Sequence, residues 1–334
     1  MRSIIVYGPG DCRIDEEPEP ALQAGRIKVR LRHSSVVMEN VGLYLGTDPR
    51  VHREGHPLYR GYPLPQAGEV IGEVVEVAPE VQGVQPGDRC ASYASYREVQ
   101  VLLPDAWTPI APGVAPEAAI SQAFSGTTLH AVRRARLELG DDVLVIGAGP
   151  MGALLPAWAR LAGAGRIIVA DLHTRRLEVA QQLGATHVVN PWHTDLKDAV
   201  QEITEGHGPD VVFDAGNTAA TFPLALDLAR PQGKVVVLSW HTQPITIEDI
   251  TRDFYHKELE IIATRATGPS PAYRSPYLRW TSRESQRLIA RWMAEGRYDP
   301  SPIITDRRPL AEFVAAMDAL REHPSEHLKS LIEW

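Results

Sequence analysis

Asp141-Asp142-Val143-Leu144-Val145-Ile146-Gly147-Ala148-Gly149-Pro150-Met151-Gly152 is the stretch whose reading decides the fold. Val143 to Ile146 form an unbroken apolar run, three of the four β-branched, as a strand buried on both faces requires. A complete G-x-G-x-x-G follows at once. Gly147 permits a tight turn, Gly149 lets a pyrophosphate approach the backbone, and Gly152 lets the next helix pack closely on the strand. That helix, opening at Pro150 and Met151, points its free N–H groups and positive dipole end at the phosphates. A second strand, Arg166 to Ala170, ends on Asp171, 19 positions after Gly152, where a ribose 2′-OH is to be held.

Strand, glycine turn, helix, strand and terminal acid in one βαβ unit predict a dinucleotide site. A carboxylate at 171 accepts from a ribose diol and repels a 2′-phosphate, so NAD is expected rather than NADP. Arg175 and Arg176 temper this, because they either reach an adenosine phosphate or cap a solvated helix start.

Downstream of Asp142, strands alternate with helices. Val143–Ile146, Ile167–Ala170, His187–Asn190, Val211–Asp214, Lys234–Ser239 and Leu259–Ala263 predict a doubly wound parallel sheet, an α/β fold. Pro156, inside the phosphate-binding helix, predicts a kink without function. Residues 1–120 read differently. Short runs (Ser3–Tyr7, Ile27–Arg32, Glu69–Val77, Glu98–Leu103) are separated by Gly/Pro turns, which suits a compact antiparallel β-barrel. Residues 264–281 read as a long loop, Ser282–Gly296 as an amphipathic helix, and the end as a short helix near Leu310–Leu320 and a strand near Leu328–Glu333.

The bulk properties exclude several classes. The 334 residues suffice for about two domains with separate cores. Net charge is −8 with no long basic run, which argues against nucleic acid as a partner. No apolar stretch reaches membrane-spanning length and no signal peptide is evident, so a cytoplasmic protein is expected. Cys12 and Cys90, the two cysteines present, form no C-x-x-C and build neither a disulfide framework nor a cysteine-based zinc site.

The chain resembles the medium-chain dehydrogenase/reductase superfamily of alcohol and polyol dehydrogenases. The likeness is carried by Val84-Gln85-Pro86-Gly87-Asp88-Arg89, Gly68-Glu69-Val70-Ile71-Gly72-Glu73-Val74, Gly126-Thr127-Thr128-Leu129-His130-Ala131 and the glycine turn. The resemblance implies a GroES-like β domain from 1–122 and 266–334, a Rossmann dinucleotide-binding domain from 123–265, and a substrate cleft between them. It further implies Thr127, Ala215-Gly216, Asn217 and Ser239-Trp240-His241 along the nicotinamide, and a homodimer or homotetramer formed through the edge strand Leu259–Ala263. Zinc-using relatives hold their metal through a cysteine, a histidine and a third ligand, often cysteine. The matching positions here are Val37, Gly68 and Ala123, none able to bind metal, and the four-cysteine structural loop is missing after Cys90. The resemblance is therefore to a zinc-lacking branch, some members of which act on hydroxyethyl groups or sugar-like alcohols and end similarly to His327-Leu328-Lys329-Ser330-Leu331-Ile332-Glu333-Trp334.

Without zinc, a side chain must take the hydroxyl proton. Glu39 falls two positions after Val37. It is either a base whose charged form is disfavoured against the Val36-Val37-Met38 run, or a solvated acid at a helix start. Glu69 is either a base beneath the vacant ligand site or a buried carboxylate salt-bridged to an arginine. Tyr44, His52, His56, Tyr59 and Tyr62 crowd one loop and are further donors, each more ordinarily a surface residue. His130 reads as a packed helix histidine. Arg265, Tyr273, Arg274, Tyr277, Arg279 and Trp280 suit a hydroxylated ligand or a subunit interface.

The function expected is zinc-independent, NAD-linked hydride transfer on a secondary alcohol of a small, polyhydroxylated molecule. The alternatives are an NAD(P)H-dependent C=C or quinone reductase, disfavoured by Asp171, and a nucleotide-binding protein that has lost catalysis.

Overall fold

The computed structural model describes residues 1–55, 59–238, 240–241, 243–265 and 280–334. The chain divides into two compact units, Met1–Ala123 with Gln286–Trp334, and Phe124–Ser285.

In the second unit, six strands pair in parallel in the order His187–Val189, Ile167–Ala170, Val143–Ile146, Val211–Asp214, Lys234–Val237, Glu260–Ala263. In chain order this is 3-2-1-4-5-6, so the strand order reverses between Val143–Ile146 and Val211–Asp214. The near-continuous apolar strands have the burial their composition requires. Val143, Leu144 and Val145 are wholly inaccessible. Helix Pro150–Ala162 starts with proline at its first position and ends at Gly163 in the left-handed conformation. It runs as one helix through the buried Pro156, so the expected kink does not divide it.

The first unit carries two sheets. Asp11–Glu16, Arg2–Gly8 and Leu64–Pro65 form the smaller. The larger runs Asp306–Pro309, Ser330–Glu333, Ile27–Val36, Ala67–Val77, Arg89–Ser95, Thr108–Pro109, with Val99–Leu102 also on Ile27–Val36. It is antiparallel as expected, except that Asp306–Pro309 pairs in parallel with Ser330–Glu333. Ile4, Val29, Leu31, Val70, Tyr96 and Phe313 centre its core. The carboxyl-terminal strand is thus a central strand of the unit that begins with Met1.

The second changeover between units falls at Ser285/Gln286, later than the boundary at 266 expected from sequence. The cause is local. Arg133 stacks on the Trp280 ring at 4.2 Å and donates to Ser285 Oγ at 2.8 Å, which holds 280–285 to the nucleotide unit. Helix Ser282–Ala294 therefore begins in one unit and continues in the other.

Candidate active site

The glycine turn has the geometry its sequence predicts. Gly147 has φ +94°, and a Cβ there would lie 2.8 Å from Gly216 Cα. A Cβ on Gly152 would lie 1.8 Å from Gly147 O, so no side chain fits between turn and helix. Gly149, the residue preceding the helix, has open space where its Cβ would be. Asp171 Oδ2 accepts from Ala148 N at 2.7 Å and its Oδ1 from His173 N at 2.9 Å. The carboxylate thereby clamps the turn to the end of the second strand and keeps lone pairs for a diol. Arg176 Nη1 stands 3.8 Å from Asp171 Oδ2, and its buried Nε has no hydrogen-bond partner among the described residues. Burial pulls the Arg176 pKa down, and Asp171 opposes this. Arg175 instead pairs with Glu178 at 3.0 Å on the solvated face.

On the other side of the turn, Gly216 N donates to the buried Asp214 at 3.3 Å, and His241 Nε2 lies 2.7 Å from Asp214 Oδ2. Asn217 is exposed, and Thr127 is buried on helix Gln122–Ala135. Ser239 lies outside the described residues.

In the first unit, helix Met38–Leu45 opens at Val37. Asn40 fixes this start: its Oδ1 accepts from Val37 N at 3.0 Å and its Nδ2 donates to Gln66 Oε1 at 2.9 Å and Ala67 O at 3.1 Å. Gln66 returns a bond to Asn40 O at 3.1 Å, so two buried amides lock the helix to strand Ala67–Val77. Glu39, in the first turn, is thereby held in place. Arg50 Nη2 pairs with Glu39 at 2.8 Å and with Asp48 at 2.8 Å, and Tyr93 Oη lies 3.3 Å from both Glu39 oxygens. The Glu39 side chain is 33% exposed. Its surroundings are a cation and a phenol, not the apolar pocket expected from Val36-Val37-Met38. Burial and then the Glu39 charge push the Tyr93 phenol up. Burial alone would lower the Arg50 pKa, but its two carboxylates raise it by more.

Gly68 bears on metal binding. A Cβ there would lie 2.0 Å from Tyr96 Oη, so the Tyr96 phenol fills the room of any side chain at this position. Tyr96 is fully buried and donates to Ser35 O. The next residue, Glu69, is 2% exposed and ion-paired with Lys329, itself fully buried and within hydrogen-bond reach of Ser121 Oγ (3.2 Å) and Ile120 O (3.3 Å). Of the two readings of Glu69, the structure places it in a buried salt bridge, with lysine where an arginine was expected.

The remaining loop candidates are engaged locally. Tyr44 packs on the core, Tyr62 Oη donates to Leu43 O at 2.7 Å, and His52 Nδ1 lies 2.8 Å from Asp48 O. Tyr59 stands against Gly61. These contacts build the loop's own backbone turns. His130 is half-buried, and burial followed by Arg134 lowers its pKa, as a packed histidine requires. His56, Tyr273, Arg274, Tyr277 and Arg279 lie outside the described residues. Arg265 is exposed and Trp280 is held by Arg133.

A family described as "Zinc-binding dehydrogenase" matches residues 150–283, a span that includes none of Val37, Gly68 and Ala123. The chain is 24% identical over 383 residues to an alcohol dehydrogenase of Cupriavidus necator, covering 100% of this chain and 98% of the relative. It is 23% identical to sorbitol dehydrogenase of Bacillus subtilis, covering 99% and 97%. The fold matches that of an alcohol dehydrogenase from Escherichia coli complexed with NADH, with TM-score 0.84, 21% identity and coverage of 100% and 99%. The chain has the fold of medium-chain dehydrogenases/reductases and is similar along its length to alcohol and sorbitol dehydrogenases. Its Rossmann-like parallel sheet and GroES-like unit are those of the superfamily.

A nicotinamide dinucleotide fits the residues of the glycine turn and its surroundings. Gly149 leaves space for phosphate, the helix N-terminus faces it, and Asp171 is positioned for a ribose. At the three positions expected from sequence to match zinc ligands, Val37 and Ala123 carry no metal-donor side chain and Tyr96 fills the room beside Gly68. Among the described residues, no group of three or more His, Cys, Asp or Glu could hold a metal ion. Arg50, Tyr93, Tyr96 and Asp214 were not singled out from sequence. Tyr93 pairs directly across from Glu69 in the sheet, so only the strand register could have found it.

Proposed function

We propose that this protein is an NAD-linked dehydrogenase that oxidises a secondary alcohol of a small, uncharged polyol without catalytic zinc. The observation that carries this reading is an intact dinucleotide turn in a chain whose Gly68 is backed by Tyr96. Similarity over the full chain to alcohol and sorbitol dehydrogenases supports the reaction class. Asp171 supports NAD over NADP, because a 2′-phosphate would meet a carboxylate already clamped in place.

The dinucleotide, when bound, supplies the hydride acceptor. Glu39 takes the hydroxyl proton as the carbinol C–H departs with its electron pair and the C–O bond becomes a carbonyl. Tyr93 Oη donates to the Glu39 carboxylate, and Arg50 holds that carboxylate in one orientation. Glu69 serves here as a positioning residue, because its burial with Lys329 keeps it from solvent protons. Arg50 already faces two carboxylates, which disfavours recognition of a phosphorylated or acidic sugar and favours a neutral polyol.

Metal analysis and an NAD-reduction assay over a panel of polyols, sugar acids and sugar phosphates test this reading. Turnover of a neutral polyol by protein with substoichiometric zinc supports it. Stoichiometric zinc, or preference for an anionic substrate, contradicts it.

A further inference from the structure

Asp48 stands behind the Glu39–Arg50 pair and takes no part in the proton transfer described above. It is 8% exposed. Its backbone N donates to Gly42 O at 3.2 Å, which docks it on the last turn of helix Met38–Leu45, the helix that carries Glu39. The Asp48 carboxylate does two separable things. Oδ1 accepts from Arg50 N at 2.8 Å and so caps the short helix Pro49–His52. Oδ1 and Oδ2 also accept from Arg50 Nε and Nη2, each at 2.8 Å, a two-pronged grip on the guanidinium. Arg50 O accepts from Arg60 N at 2.7 Å and from Gly61 N at 3.2 Å, so the arginine is held at both backbone and tip.

The same Nη2 lies 2.8 Å from Glu39 Oε1 and 2.8 Å from Asp48 Oδ2. One cation is thus shared by two carboxylates, and the three groups carry one surplus negative charge. A helix cap needs only a neutral oxygen, so capping does not account for that charge. Proton uptake does. When Glu39 takes a proton, Arg50 and Asp48 remain as a complete ion pair. Were residue 48 neutral, the same proton would leave the Arg50 cation, whose side chain is 20% exposed, without the charge of either carboxylate.

We propose that Asp48 is a positioning residue that keeps Glu39 able to accept a proton by sharing the Arg50 cation with it. This rests on the reading of Glu39 as the base. Glu39 is faced by Arg50 from helix Pro49–His52 and by Tyr93 from strand Arg89–Ser95. Glu69, ion-paired with Lys329, lies across the sheet from Tyr93. Burial and the Glu39 charge push the Tyr93 phenol up, so it stays protonated and adds no charge. Altering Asp48 changes none of these groups, and its effect on Glu39 is read against a constant background.

The test follows the Glu39 carboxyl itself and needs no substrate. A carbodiimide with an amine labels carboxyls in their protonated form, and peptide mass spectrometry of the labelled full-length protein reads Glu39 across a pH series. Asp48→Asn keeps an oxygen for the cap and removes the charge, so it is expected to melt as wild type. Its Glu39 labelling is expected to fall away about one pH unit lower than in wild type, the size of a partly screened interaction between neighbouring charges. Asp48→Ser, which also caps, decides the matter if Asp48→Asn fails to fold. Glu39 labelling that falls away at the wild-type pH, or at a higher one, in a folded variant overturns the inference and leaves Asp48 a helix cap. The base reading is tested apart from this by Glu39→Gln in NAD reduction, where wild-type turnover overturns Glu39 as the base whatever the labelling shows.

Discussion

Three glycines of one motif do different physical work, and substitution separates them. A methyl group at Gly152 meets Gly147 O at 1.8 Å, so Gly152→Ala is expected to lower stability by about 1–3 kcal/mol in denaturant titration and to abolish dinucleotide binding. A methyl group at Gly149 meets nothing in the protein, so Gly149→Ala is expected to unfold as wild type yet to bind NADH at least about tenfold more weakly. Equal stability losses in the two variants would contradict the assignment of open space at Gly149 to a ligand. Residues of this kind are legible in sequence because each glycine's constraint is local. Tyr93 and Tyr96 were not, because what they touch, Glu39 and the room beside Gly68, comes from distant segments. Glu39 was found by its spacing from Val37, but its Arg50 ion pair, and hence its polar surroundings, follow from how the loop folds back.

At the scale of elements, Val143–Ile146, Ile167–Ala170 and Val211–Asp214 match their sequence reading residue for residue. Apolar runs of that kind have no alternative face to choose. Helix Met38–Leu45 is legible in the sequence only as a helix start at Glu39: it is two turns long, contains Gly42, and owes its start to the Asn40–Gln66 amide exchange rather than to periodicity. The final strand, Ser330–Glu333, was expected near its place, but not the buried ammonium that Lys329 brings to Glu69. Breaking a buried pair leaves a charge uncompensated, so Lys329→Met is expected to cost about 3–5 kcal/mol, whereas Glu69→Met combined with Lys329→Met should cost much less than the two single changes summed. Additive losses in a double-mutant cycle would contradict direct pairing.

For the molecule as a whole, the sequence pattern changes from short runs between Gly/Pro turns over residues 1–120 to alternating strands and helices after Asp142. The changeover at 285/286 is not legible in that pattern, since it depends on the contact of Arg133 with Trp280. Among the described residues no helix is long and apolar enough to cross a membrane. Global stability should respond to acid through one histidine in each unit. Burial lowers the pKa of His33, with Arg307 adding to it, and burial lowers that of His130. Each folded-state value lies below the unfolded value of 6.5, so the unfolded chain binds these protons first. Unfolding free energy is therefore expected to be flat in these groups above pH 6.5 and to fall as pH drops from 6.5 through the folded-state values. His130→Gln should reduce that slope in denaturant titrations between pH 7 and pH 5, and an unchanged slope would contradict the burial argument. We propose, as a separate matter, that copies assemble through the edge strand Glu260–Ala263, where Ile261 is exposed, so Ile261→Lys should shift the protein to monomer in sedimentation. We propose that Glu39, and no metal, takes the hydroxyl proton. Turnover of chelator-treated wild type and of Glu39→Gln in one NAD-reduction assay decides this: full turnover is expected for the first and a loss of about a hundredfold or more for the second, whereas zinc-restored activity after chelation, or wild-type turnover in Glu39→Gln, means that the base lies elsewhere.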